Sequence, residues 1–334
     1  MAFTMHSHSG QFCPGHAKDQ LEDIILHCIS IGYKTMGLSE HMPRTQLCDL
    51  YPEELAPDPH ASLAELMPRH AAYMTEARRL QKKYADRITL LIGFEGEFIR
   101  SEYATLVRSL ADGRGDPSYF QNGDSKLVAD AGRVDYFIGS LHHGAGGIPI
   151  DFDRATYLRS VEAAGPGGEE ALFVHYYDQQ FEMLQALRPP IVGHFDLIRL
   201  MSEEPGRNPS VWSPDRVWPL IKRNLEFVAS YGGWLECNSS ALRKGLAEPY
   251  PCRPIAEEWV RLGGRFTMSD DSHGIAQVAT NYGRALDYLE SLGVTEVWTY
   301  DRPTEGTGLI EKSVSLTEFR ASLRVPTMVS KPSS

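Results

Sequence analysis

The sequence predicts an α/β protein built as a barrel of parallel strands. Two observations carry that expectation. Short apolar runs alternate with amphipathic helical patterns along most of the 334 residues, as parallel βα units do. Polar residues gather at the ends of those runs, and a parallel barrel brings its C-terminal strand ends to one mouth. Seven such units favour closure into a ring over an open doubly wound sheet. Neither G-x-G-x-x-G nor G-x-x-x-x-G-K-[ST] occurs, which weakens a nucleotide-binding sheet further.

The first strand is expected over 2–6 and runs into "HSH", which sets His6 and His8 two residues apart. A helix over 19–31 precedes the second strand, 35–41, which ends on Ser39 and His41. After a helix over 62–84, the third strand, 88–98, carries Glu95 and Glu97. A helix over 102–110 comes before the fourth strand, 135–143, with Ser140 and His142. The fifth, 191–197, follows a helix over 169–186 and holds His194 and Asp196. Helix 214–231 leads to strand 233–239, with Glu236 and Asn238. Helix 254–262 leads to strand 265–273, with Asp271 and His273, and helix 282–292 closes the series. Side chains at i and i+2 share one face of a strand. By that spacing Asp271, rather than Asp270, partners His273.

Three loop insertions interrupt the pattern: a Pro-rich one near 42–61 and Gly- and Asp-rich ones near 113–133 and 144–168. Long loops after barrel strands are where binding residues are expected. A short extension from about 295 holds one β-like run, "TEVWTY", and a helical pattern, "SLTEFRASL". No repeat or linker marks a second domain, so one domain over 1–334 is expected.

Composition narrows the function. Net charge is −11, which makes nucleic acid a poor partner and leaves any phosphate site to be made locally, by metal ions or a few arginines. The five cysteines are odd in number and form no CxxC pair, which fits a reducing compartment and excludes a zinc ribbon. No apolar stretch is long enough to span a membrane, and no signal peptide is apparent, so a cytoplasmic protein is expected. No heptad seam announces a homo-oligomer, and oligomeric state stays open.

Histidine placement is the sharpest signal. Of twelve histidines, eight fall at or just beyond strand ends: His6, His8, His16, His41, His142, His143, His194 and His273. Together with Glu95 and Asp271 they make the ligand set of zinc, manganese or iron. One catalytic zinc needs about three protein ligands, so this set suits two or three divalent ions sharing a bridging carboxylate.

The segments "MHSHSGQFCPGH", "GLSEHMP", "GFEGEF", "YFIGSLHH", "IVGHFDL" and "MSDDSHG", in this order, resemble the polymerase-and-histidinol-phosphatase (PHP) superfamily. Within it, "HFDLIRL", "LECNSSALRKG" and "SDDSHG" look most like the fungal type of histidinol-phosphate phosphatase. The resemblance implies a distorted (β/α)7 TIM-like barrel with a trinuclear metal centre. It implies one metal on His6, His8, Glu95 and Asp271, and a second on Glu95, His142 and His194. The third would be held by His41 and His273 with His16. Glu95, Asp271 and His273 are the members read as catalytic.

The implied reaction is hydrolysis of L-histidinol phosphate to L-histidinol and phosphate, a step of histidine biosynthesis, by a metal-bound hydroxide attacking phosphorus. No phosphoenzyme nucleophile motif is present. Arg199 and Arg243 are the expected phosphate cations. Glu97 shares a face with Glu95, which suits either the substrate's ammonium or imidazole or the orientation of a ligand histidine. Asn238 is expected to read the imidazole. His143 adjoins a ligand, although strand alternation turns it away unless the strand has ended. Lys244 is expected to be solvent-exposed. The alternatives are a PHP-type phosphoesterase acting on a nucleotide or another small phosphate ester, an amide or ring hydrolase on a similar barrel, and a non-catalytic metal-binding domain.

Overall fold

The computed structural model describes residues 1–114, 124–303 and 308–324. Its barrel strands are β1 (Ala2–Thr4), β2 (Tyr33–Leu38), β3 (Thr89–Ile92), β4 (Glu95–Glu97), β5 (Ile138–Ser140), β6 (Ile191–Val192), β7 (Trp234–Asn238) and β8 (Arg265–Ser269). β1 to β3 form one parallel sheet and β4 to β8 another, each strand pairing with the next in sequence. β3 and β4 are halves of the one expected third strand, parted at Gly93 and Phe94. Both halves follow the second strand's path, since Gly93 N donates to Leu38 O (2.8 Å) and Glu95 N to Glu40 O (3.0 Å). The wall is therefore a ring of seven strands in sequence order. It closes between β1 and β8, where Met5 N donates to Met268 O (3.1 Å) and His8 N to Ser272 O (2.8 Å).

The strands are shorter than the apolar runs suggest. Most polar residues expected on strands lie just past their ends, where the backbone turns to aim side chains inward. Asp271 and His194 have φ of 46° and 20°, which an extended strand cannot accommodate. Inside the ring, Tyr136 lies against Gly37 and Gly93. A Cβ at Gly37 would sit 2.2 Å from its Oη, and one at Gly93 2.6 Å from its ring. The Tyr136 hydroxyl donates to Met5 O (2.7 Å), on the backbone that leads into His6.

The seven expected helices are Leu21–Ser30, Pro59–Lys83, Tyr103–Asp112, Gly168–Leu187, Val217–Tyr231, Arg253–Arg261 and Tyr282–Ser291. Pro59–Lys83 starts where it does because the Asp58 carboxylate accepts from His60 N and Ala61 N and Pro59 needs no donor partner. The loops hold more order than their composition announces. Segment 144–168 contains a helix, Arg154–Ala163, capped by Asp153 accepting from Thr156 N (2.7 Å). In 113–133, residues 115–123 lie outside the described residues and Asp124–Ala131 is helical.

Beyond the barrel, β9 (Glu296–Asp301) pairs antiparallel with β10 (Ile310–Ser315), and a helix follows over Leu316–Ser322. The tail packs on its own barrel. Phe319 meets Phe3 at 5.1 Å and Tyr282 at 5.6 Å between ring centroids. Among the described residues, no helix is long and apolar enough to cross a membrane.

Candidate metal centre

At the barrel mouth the scattered polar residues converge on Glu95. Its Oε1 lies 2.9 Å from His142 Nε2 and 2.9 Å from His194 Nε2. Its Oε2 lies 2.9 Å from His41 Nδ1, 3.3 Å from His6 Nε2 and 3.6 Å from His8 Nε2. Each oxygen thus faces a different set of imidazoles. Asp271 Oδ1 approaches the same cluster from β8, 3.7 Å from His6 Nε2, 3.5 Å from His8 Nε2 and 3.7 Å from His273 Nδ1. Asp270 points the other way, accepting from Tyr33 Oη (3.0 Å) and Ala279 N (2.7 Å).

Three sets of ligand atoms converge closely enough to share an ion: His6, His8 and Glu95; Glu95, His142 and His194; and His8, His41 and His273. His16 belongs to none of them, and His8 stands where His16 was expected. The His16 ring lies near His273 (4.8 Å) and His41 (5.3 Å), but its Nδ1 faces Glu53 Oε1 at 2.7 Å and its side chain is 38% exposed.

The donor set fits divalent cations. His6 Nε2, both His8 nitrogens and His41 Nε2 are buried without a hydrogen-bond partner, and buried polar atoms left so are costly. The His8 and His41 rings stack at 4.1 Å, too close for both to be charged comfortably. Burial, together with His41 and His273, holds His8 well below the usual imidazole range, which leaves it neutral as a metal ligand must be. Burial brings His273 down to about 3. His41 goes the other way: burial opposes its charge, but Glu95 and Glu97 push it up to about 9. Burial opposes the charge of Glu95 too, yet His6, His142 and His41 keep it well below the carboxylate range. Against burial, Glu236 and Glu95 likewise push His6 up, and Glu95 and Asp151 push His142 up, so metal binding would displace protons from His6, His41 and His142.

A second layer of carboxylates aims these rings. Glu236 Oε1 lies 2.8 Å from His6 Nδ1, and its Oε2 accepts from His194 N (2.9 Å). Asp151 Oδ2 lies 3.0 Å from His142 Nδ1. In both cases the carboxylate takes the outer nitrogen and leaves Nε2 facing Glu95. Glu97 accepts from the Tyr51 hydroxyl and lies 3.4 Å from His41 Nδ1 and 3.5 Å from Arg44 Nη1.

A cavity of about 510 Å³ opens over the cluster, lined by His16, His41, Tyr51, Glu53, Glu95, His142, His143, Asp151, Phe152, Arg243, Lys244, Asp271 and His273 among others. This distinguishes the expected substrate residues. His143 reaches the cavity because β5 ends at Ser140, so alternation no longer applies. Arg199 does not: it is buried elsewhere, its Nε on Asp196 Oδ2 (2.8 Å) and its other nitrogens on backbone carbonyls. Nor does Asn238, whose amide bonds Glu236 Oε2 (3.2 Å) and Ser240 N (2.9 Å). Glu97 is fully buried behind His41 and does not line the cavity, so it fits the orienting role and not a substrate contact. Lys244 is exposed as expected, but it lines the cavity. Asp151 and Tyr51 are site residues that the sequence reading misses; each sits in a loop without periodicity, and the one sequence signal is an acid directly after the apolar run "IPI".

The PHP domain family model matches residues 4–240. A probable histidinol-phosphatase of Schizosaccharomyces pombe is 39% identical over 316 residues, covering 95% of each chain. The histidinol-phosphatase of Saccharomyces cerevisiae is 32% identical over 309 residues, 85% of this chain and 87% of that protein. Two crystal structures share the fold. One is a putative histidinol phosphatase of Listeria monocytogenes (TM-score 0.66, 23% identity, 84% of this chain and 99% of that one). The other is a histidinol phosphate phosphatase of Lactococcus lactis in complex with zinc, L-histidinol and phosphate (TM-score 0.59, 18% identity, 89% and 96%). The distorted seven-stranded ring, the imidazole–carboxylate mouth and the match along most of the sequence have one reading: the chain belongs to the PHP domain family.

Proposed function

We propose that this chain is a metal-dependent phosphatase that hydrolyses L-histidinol phosphate to L-histidinol and phosphate. The observation that carries the reading is Glu95, a buried carboxylate whose two oxygens face two separate groups of imidazoles. The relatives at 39% and 32% identity support the substrate. The zinc and products held by the Lactococcus lactis enzyme support the chemistry.

His6, His8, Glu95 and Asp271 would hold one ion and Glu95, His142 and His194 another, with His41 and His273 serving a third. Zinc, manganese and iron all suit these donors. Bound there, divalent ions supply an acidified water and neutralise charge on the phosphoryl group. The chain's own part is preparation. Glu236 and Asp151 fix the tautomers of His6 and His142 before substrate arrives. Burial of the cluster removes competing water and strengthens every charge interaction in it. The five free cysteines, four of them buried, support a reducing compartment such as the cytoplasm. The packing of Phe319 on Phe3 supports one barrel unit that includes the tail.

The test is phosphate release by purified protein of known metal content, with L-histidinol phosphate, an aryl phosphate and a dinucleotide side by side. Preferential release from L-histidinol phosphate, abolished by a chelator and restored by metal, is expected. Preference for the dinucleotide, or release that survives complete metal removal, would sink the reading.

A further inference from the structure

The cavity over the cluster is hostile to a phosphate ester unless something offsets its own acids. Glu53, Glu95, Asp151 and Asp271 line it, and two side chains of fixed positive charge, Arg243 and Lys244, stand against them. They are sequence neighbours at the end of the short helix Ser240–Arg243, but their situations differ.

The guanidinium of Arg243 is already engaged. Its Nη1 donates to Asp270 O (3.0 Å) and its Nη2 to Asp271 O (2.9 Å), with Thr280 Oγ1 3.4 Å from Nη1. These bonds clamp the turn on which Asp271 adopts φ 46°, a conformation that a non-glycine residue holds only when its surroundings impose it. The fork geometry suits a clamp on two successive carbonyls. These bonds use three of the five guanidinium N–H groups, so swinging the whole fork toward a ligand would release the turn that aims Asp271.

Lys244 has no such commitment. Its side chain is exposed at the cavity wall and has no hydrogen-bond or ion-pair partner among the described residues. Its charge is felt at Asp151 on one side of the cluster and at Asp271 and His273 on the other. An ammonium on a flexible stem can swing out to meet an incoming dianion and swing back as product departs, which a fork held on two carbonyls does less freely.

We propose that Lys244 is the substrate-binding cation that grips the phosphoryl group, and that Arg243 is a positioning residue holding Asp271 in place. This rests on the phosphatase reading only for the identity of the ester; the anion grip itself is tested with inorganic phosphate.

The experiment is calorimetric titration of inorganic phosphate into the metal-loaded full chain, with metal content measured on each sample and L-histidinol phosphate kinetics run in parallel. Lys244→Gln should bind phosphate about 10- to 100-fold more weakly with unchanged metal content, the loss of one charge-assisted contact. Its KM should rise more than its kcat falls, and Lys244→Arg should recover most of the phosphate affinity. Arg243→Gln should lose metal occupancy, and the fraction still loaded should bind phosphate as wild type does. Wild-type phosphate affinity in Lys244→Gln would overturn the proposal. So would an Arg243→Gln protein with full metal content and weakened phosphate binding. Wild type that binds phosphate through Lys244 but does not turn over L-histidinol phosphate would sink the substrate reading alone.

Discussion

Two buried knots of charge lie beyond or on strands of the same sheet, one round Arg199 after β6 and one round Glu95 on β4, and they differ in one respect. Around Arg199 the network is closed on the cation's side. Its Nε meets Asp196 Oδ2 (2.8 Å), and its other nitrogens reach the carbonyls of Pro205 (3.3 Å), Glu248 (3.0 Å) and Pro249 (2.8 Å). Asp196 Oδ2 also accepts from Cys252 N (2.9 Å), tying the segment before the helix Arg253–Arg261 to the barrel. Around Glu95 the network is open: His6 Nε2, both His8 nitrogens and His41 Nε2 have no hydrogen-bond partner. Both knots are charged and buried, and each leaves a buried acceptor unpaired, Asp196 Oδ1 in the first, so none of these properties alone marks a site. What differs is that several unpaired imidazole nitrogens gather round one carboxylate in the second knot. The first knot is scaffold, and the second suits cations.

Substitutions should separate the two. The largest effect is expected from Glu95→Gln, which removes the carboxylate shared by both imidazole groups. Metal content should fall and phosphatase activity should drop by about a thousandfold or more, beyond the ~10- to 100-fold typical of residues that only support ligands. Full activity with full metal would break the comparison from its open side. Arg199→Met should act on stability: it strands Asp196 in the interior and should cost about 3–5 kcal/mol in urea unfolding. Its folded, metal-loaded fraction should keep the wild-type KM, and a raised KM with unchanged stability would return Arg199 to the substrate.

Asp151→Asn sits between these limits. It should weaken metal binding by about 10- to 100-fold while leaving unfolding nearly unchanged, since only the aim of His142 is lost. The smallest effect concerns His70, an imidazole outside both knots that burial pushes down to about 4. The folded protein resists a proton that the unfolded chain accepts near 6.5. Its contribution is therefore present above 6.5 and is lost as pH falls from there toward 4. Between pH 7 and pH 5, His70→Leu should lose about 2 kcal/mol less stability than wild type in urea unfolding. An identical acid dependence in both proteins would show that His70 is not held neutral.

Much of this was legible in the sequence, and the failures share a cause. The seven strands and seven helices could be read because their apolar periods are set by the same core that buries them. The cluster could be read because a parallel ring gathers its strand ends, whatever path each backbone takes there. The details of aim could not. Asp271 was selected by alternation along a strand, yet β8 stops at Ser269 and a positive φ turns Asp271 inward instead. His143 reaches the cavity for the same reason, the strand having ended. Cations were harder still. Arg199, Arg243 and Lys244 carry the same charge in sequence, and only the positions of nearby carbonyls show which of them is already committed. Asp151 and Tyr51 come from loops, where no period indicates direction.

The closure of the ring carries a mechanical consequence. The first and last strands meet through a few backbone bonds at the mouth, from Met5 to Met268 and from His8 to Ser272. His6 and His8 stand on one side of that joint, and Asp271 and His273 on the other. An ion gripped from both sides is a rivet through the seam. Stripping it should loosen the barrel at one place before anywhere else, with amide exchange rising first along the two lips of the joint while the opposite wall stays shut.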